Sequence, residues 1–138
     1  MEDRFKFRVW KLDIGKWAES VWLDPDTGFC IVYNGEIYEY IKDEDFTIQQ
    51  CTGLKDKNGV LIYEGDILEF PDRLETARGS VTLKEYEDSE SYGDMRHYGW
   101  VAVRKDRFES RDTLPDIKGT AEIIGNIFEN KELLTNTK

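Results

Sequence analysis

A chain of 138 residues, 39% hydrophobic and 35% charged, is one domain's worth of sequence or two small subdomains sharing a core, and it requires no disulfide or metal staple. Its 29 Asp and Glu against 19 Lys and Arg leave a formal net charge of -10, which repels a phosphate backbone and argues against nucleic acid as a partner. No run approaches the roughly 20 apolar residues that span a bilayer, and the opening MEDRFKFRVW lacks an export signal's apolar core, so a cytoplasmic chain without membrane contact is expected.

The first segment alternates: Phe5, Phe7 and Val9 point one way, Arg4, Lys6 and Arg8 the other, as in a half-buried strand. A turn over Asp13 to Lys16 leads to a second strand from Trp17 to Leu23, closed by the turn formers Asp24-Pro25-Asp26-Thr27-Gly28. Phe29 to Tyr33 and Glu36 to Ile41 flank Asn34-Gly35, a strong hairpin signal. Phe46 to Cys51 predicts a fifth strand. With no export signal, Cys30 and Cys51 are expected as free thiols packed like small hydrophobes.

The second part repeats the style. Asn58-Gly59 predicts a two-residue type I′ turn, followed by strands at Val60 to Tyr63 and Gly65 to Phe70. Val81 and Leu83 alternate with polar neighbours, Trp100 to Arg104 predicts a further strand, Ala121 to Phe128 the last long one, and Asn130 a cap for one helical turn ending at Leu134. Residues 85 to 94, EYEDSESYGD, predict an exposed acidic loop, and residues 105 to 119 a second mobile stretch. Short strands with turns at intervals near 8 to 12 residues suggest a small barrel or sandwich. The expected core includes Phe5, Phe7, Val9, Ile67, Val81, Leu83, Ile123 and Ile127.

Residues 52 to 70, TGLKDKNGVLIYEGDILEF, carry the most specific pattern, T-G-L-x-D-x-N-G followed by I-Y-E-G-D-I. With Phe5-Lys6-Phe7-Arg8-Val9-Trp10 before it and Ile124-Gly125-Asn126-Ile127-Phe128-Glu129-Asn130 after it, the chain resembles the YopX family of phage and prophage proteins over nearly its whole length. That resemblance implies a mainly β fold with little helix: a small antiparallel SH3-like β-barrel over 54–138, packed with an N-terminal β-hairpin or sheet part over 1–53. It brings no established activity. The residues alone also explain the pattern structurally: Asn58-Gly59 fixes a hairpin, Gly65-Asp66 a bend into a long strand, and Gly125 a bulge or close backbone approach.

Catalytic motifs are sparse. His97 is the only histidine and lies far in sequence from both cysteines, so neither a metal centre nor a histidine-based triad is expected. No phosphate-cradling glycine motif occurs, and no cofactor is expected. Asp24 to Gly28 opens like a calcium loop but has Gly35 at the twelfth position instead of a bidentate Glu, so it reads as a turn. Arg4, Lys6, Arg8 and Trp10 form a stripe read as a solvated strand face. Four Trp, seven Tyr and seven Phe exceed what a core of this size holds, and Trp10, Trp17, Trp22, Tyr38, Tyr40 and Trp100 are the candidate interaction surface. The leading expectation is a noncatalytic protein-binding module, including a homo-oligomer. The alternatives are an acidic DNA mimic using Glu85 to Asp94, and third a carboxylate-dependent hydrolase; among 29 acidic residues pairs arise by chance, so Glu64 and Asp66 earn no special role.

Overall fold

The computed structural model describes residues 6–12, 15–23, 30–34, 37–40, 46–87, 96–105, 107–109 and 111–135. The chain divides into two compact units, Met1–Cys51 and Thr52–Lys138. Phe5, and the turns at Asp24 to Gly28 and at Gly35, lie outside the described residues.

In the first unit, β1 (Phe7–Lys11) lies between β2 (Lys16–Trp17) and β6 (Phe46–Lys55), antiparallel to both. The predicted alternation holds in β1: Val9 is fully buried and Arg8 and Trp10 occupy the other face. Lys11 falls on the Val9 side and is buried too, its ammonium 5.4 Å from the centre of the Phe46 ring. The single strand expected from Trp17 to Leu23 is broken, since β2 stops at Trp17 and β3 (Ser20–Leu23) belongs to another sheet with β4 (Cys30–Asn34) and β5 (Ile37–Tyr40). Cys51 is fully buried, as expected of a small hydrophobe in the core.

β6 runs past Cys51 into the second unit, where β7 (Leu61–Tyr63) borders it. A sheet of order β10-β9-β8-β11 follows, made from β8 (Asp66–Asp72), β9 (Glu75–Glu87), β10 (Arg96–Val103) and β11 (Glu122–Asn126), all paired antiparallel. Ile62, Leu68, Phe70, Ala77, Val81, Ala102, Leu114, Ile117 and Ala121 form its core, with Leu54, Trp100 and Ile123 packed against them. The short helices α1 (Leu114–Ile117) and α2 (Glu132–Thr135) are the only ones among the described residues. No helix there is long and apolar enough to cross a membrane.

Four expectations are corrected. Residues 105 to 119 include α1, whose Leu114 and Ile117 are buried in the core, so this stretch is a packed element where it is described. A four-residue helix entered through Pro115 is too short to show a helical period. The acidic loop starts later than Glu85, because β9 continues to Glu87 against Arg96, and residues 88–95 lie outside the described residues. Leu83 is exposed, because β8 stops pairing with β9 at Ile67 opposite Ser80 while β10 continues. Phe7, Ile123 and Ile127 are half-buried, whereas Val9, Ile67 and Val81 are buried as expected.

The hairpin at Asn58-Gly59 is also one residue longer than a type I′ turn. Asp56 and Val60 close it through Asp56 N–H to Val60 O at 2.9 Å, Gly59 N–H donates to Asp56 O at 3.0 Å, and only Gly59 takes a positive φ, of 80°. This is the three-residue connection in which a turn is followed by a left-handed glycine. The Asp56 carboxylate tips the balance, as it favours ordinary backbone angles at Lys57 and Asn58 by accepting from the Asn58 and Val60 N–H groups at 2.9 and 3.0 Å.

Candidate interaction surface

Several polar side chains of the 52–70 pattern and of its C-terminal companion bond to the backbone. Thr52 Oγ1 donates to Ile62 O at 2.8 Å and accepts from Leu54 N–H at 3.1 Å, joining β6 to β7. Asp56 sends its second oxygen to Ile123 N–H at 3.1 Å, tying the hairpin to β11. Asp66 accepts from Tyr63 N–H at 2.8 Å, holding the corner at which the chain leaves β7 for β8. Asn126 Oδ1 accepts from Phe128 and Glu129 N–H at 3.0 and 2.9 Å. Thr52, Asp56, Asp66 and Asn126 are all buried, where an unmatched backbone N–H or carboxylate is destabilising, so these side chains determine turn shape.

Asn130 does not cap α2 with its side chain. Its Oδ1 reaches back to Asn126 N–H at 3.3 Å and lies over Gly125, where an added Cβ would come within 2.6 Å of it. The close approach predicted at Gly125 is therefore present, together with a register shift between Ile123 and Gly125.

The six aromatic candidates lie on strands of both units. Trp10 and Trp17 are cross-strand partners, ring centroids 4.9 Å apart at 71°, and the Arg8 guanidinium lies 4.4 Å from the centre of the Trp17 ring. Arg8 Nε also donates to Gln49 at 3.0 Å, so this face is a packed aromatic and cationic layer and not a simple solvated one. The pairing of β3, β4 and β5 sets Trp22 opposite Ile31 and Ile31 opposite Tyr40, with Tyr38 opposite Tyr33. Trp100 belongs to the second unit, opposite Leu83 and half-buried against the core.

Around Trp100 the structure shows a feature the sequence reading did not assemble. Beyond the end of β8, β9 and β10 continue together as a two-stranded ribbon. One face is filled: Tyr86 stacks on His97 at 5.3 Å, and Phe108 packs on Tyr86 at 5.6 Å with the Lys84 ammonium 5.6 Å from its ring. The opposite face continues the core row of Val81 and Ala102 outward through Leu83 and Trp100 to Tyr98, which is 72% exposed beside Glu85. Arg96 lies 3.6 Å from Glu85 on this ribbon. A contiguous apolar row that leaves the core and enters solvent is the usual mark of a contact surface. Its signal in sequence was the pair of alternating runs around Leu83 and Trp100; where β8 ends is a tertiary fact.

A cluster of ions is the other feature missed. Arg104 donates from Nε to Asp112 at 2.7 Å and from Nη2 to Asp72 at 2.8 Å, and Arg111 donates to both oxygens of Asp72 at 3.2 and 3.0 Å. Arg111 first and Arg104 second hold the Asp72 carboxyl at about 2. The hydrogen bond to Asp112 raises Arg104 above its ordinary value, as Asp72 raises Arg111. These two carboxylates share a guanidinium, so Asp72 stays ionised near neutrality and the group works as a clamp. With Ala102 N–H to Asp112 O at 2.9 Å, it fastens the segment before α1 to the ends of β8 and β10. Among the described residues no group of three or more His, Cys, Asp or Glu is placed to hold a metal ion.

Antiparallel sheets whose turns are locked by buried Thr, Asp and Asn side chains, with an apolar row running out along a ribbon, define a small, mainly β protein. The chain belongs to the YopX family, whose profile, described as YopX protein, matches residues 6–135. It is also similar to the crystal structure of protein EF1440 from Enterococcus faecalis, at 25% identity and a TM-score of 0.50, over 94% of this chain and 96% of that one. No curated protein matches the chain.

Proposed function

We propose that this protein acts by binding protein without chemistry of its own, and that its first partner is a second copy of itself. The observation carrying this reading is the ribbon face formed by Leu83, Tyr98 and Trp100. Two features favour a like partner. An isologous contact needs a patch that complements itself, and here an apolar row is bordered by both an acid, Glu85, and a base, Arg96, so a two-fold arrangement can set each against its opposite on the other copy. The ribbon edge is a poor template for strand addition, because two-fold pairing of β9 about Lys84 or Glu85 would set like charges directly opposite each other. That favours face-to-face association. The reading also takes the second unit as an SH3-like barrel, supported by its long antiparallel β8, β9 and β10 and by the Gly65-Asp66 corner, and places the protein in the cytoplasm of a phage-carrying host cell.

Light scattering over a concentration series tests it. The average mass should rise toward twice the chain mass at high micromolar concentration, and Tyr98→Glu should abolish the rise while leaving the thermal midpoint in place. A wild-type chain that remains a monomer throughout would overturn self-association.

A further inference from the structure

The stretch from Gly53 to Lys57, together with Lys118 and Gly119 after α1, lines an open cleft of about 380 Å³ in the second unit. That is the size of a small-ligand site, for which about 300 to 1,000 Å³ is usual. Its charge is the reverse of the protein's: Lys55, Lys57 and Lys118 line it in a chain of net charge -10. Lys57 has an exposed ion pair with Glu122 at 3.6 Å, whereas among the described residues neither Lys55 nor Lys118 has an acidic partner. The one carboxylate in the lining, Asp56, is buried, with both oxygens engaged by the N–H groups of Asn58, Val60 and Ile123.

The walls are fixed before any ligand arrives. Lys57 N–H donates to Ala121 O at 2.9 Å, Ala121 N–H to Ile117 O at 2.8 Å and Lys118 N–H to Leu114 O at 2.9 Å, so the strand side and the helix side of the cleft are stitched together. Three lysines among the lining residues of a concavity whose backbone is hydrogen-bonded in place suit a compact, multiply charged anion, because lysine acts as a point charge toward phosphate. No arginine in the lining offers a fork for a carboxylate, and no aromatic ring there offers a platform for a base.

We infer that this cleft binds a compact phosphate-bearing anion, at a surface separate from the ribbon face. The test uses the full-length, 15N-labelled chain titrated with inorganic pyrophosphate. Saturable amide shifts confined to residues 53–57 and 118–119 are expected. The exposed double variant Lys55→Glu with Lys118→Glu should weaken binding by about tenfold or more, since attraction becomes repulsion at two sites. The control pair Lys105→Glu with Lys131→Glu makes the same change in net charge elsewhere on the exposed surface and should leave binding unchanged. Unaltered dispersion of the remaining amides shows that each variant is folded. No saturable shift by about 1 mM pyrophosphate, a millimolar site being the weakest worth the name, would overturn the inference. Equal weakening in the control pair would reduce it to general electrostatics and overturn it as well, and tighter binding of a short oligodeoxynucleotide than of pyrophosphate would replace the compact anion with a nucleic-acid backbone.

Discussion

Replacing Asp56 with alanine removes one carboxylate and leaves three backbone donors, at Asn58, Val60 and Ile123, without their acceptor. Hydrogen bonds to a charged group each contribute about 1.5–3 kcal/mol, so a simple sum would be well above 4 kcal/mol. Exposure lowers it. Asn58 and Val60 are on the solvent side of the hairpin, where water can replace the lost oxygen, while the half-buried Ile123 at the β11 bulge is harder to rehydrate. A loss of about 2–4 kcal/mol is therefore expected. Asp56→Asn keeps one oxygen for the hairpin and should lose roughly half as much, mainly at Ile123. Urea unfolding gives the total, and amide exchange at Ile123 reports the tie to β11. With a slope of about 2 kcal/mol per molar urea, Asp56→Ala should move the midpoint by about 1–2 M. Equal midpoints for Ala and Asn, or unchanged protection at Ile123, would refute the idea that Asp56 links the hairpin to the last strand.

At Gly59 the φ of 80° and the absence of any heavy atom within 4 Å of an added Cβ make the effect of substitution purely conformational. Gly59→Val should lower stability by about 1–2 kcal/mol and Gly59→Asn by much less, measured as denaturant midpoints; equal midpoints would contradict the left-handed turn. Gly125→Ala should cost about 1–3 kcal/mol by driving a methyl into Asn130, and less when made together with Asn130→Ala; strict additivity of the two would show that the contact is not the cause. Asp72 is held at about 2, below its ordinary 3.8, so its contribution to stability is complete above the ordinary value and is lost as pH falls from about 4 through 2. Acid titration of the melting temperature should show that leg in the wild type and a shallower one in Asp72→Asn; identical acid profiles would mean the clamp does not contribute.

Most of the strands were legible because each rests on local alternation and each turn on Gly, Asn or Asp at fixed spacing. The 52–70 pattern was legible twice over, as a family resemblance and as turn chemistry, and the hydrogen bonds of Thr52, Asp56 and Asp66 now say why those residue types stand there. The misreadings share a physical cause. Arg104, Asp72 and Asp112 are drawn together across 32 and 8 positions, and no periodicity announces a pairing of that kind. Leu83 alternates like a core residue, and its exposure depends on where a neighbouring strand ends. The excess of tryptophan was visible, but its division into a Trp10–Trp17 pair within one unit and a Trp100 row in the other is set by strand register.

Self-association through the ribbon is tested most directly by an isotope-filtered NOE experiment on an equal mixture of labelled and unlabelled chains at high micromolar concentration. The account predicts intermolecular contacts between the Leu83 methyls of one copy and the Tyr98 or Trp100 ring of the other. Intermolecular contacts elsewhere, with Leu83 and Tyr98 silent, or no intermolecular contact at all, would contradict it.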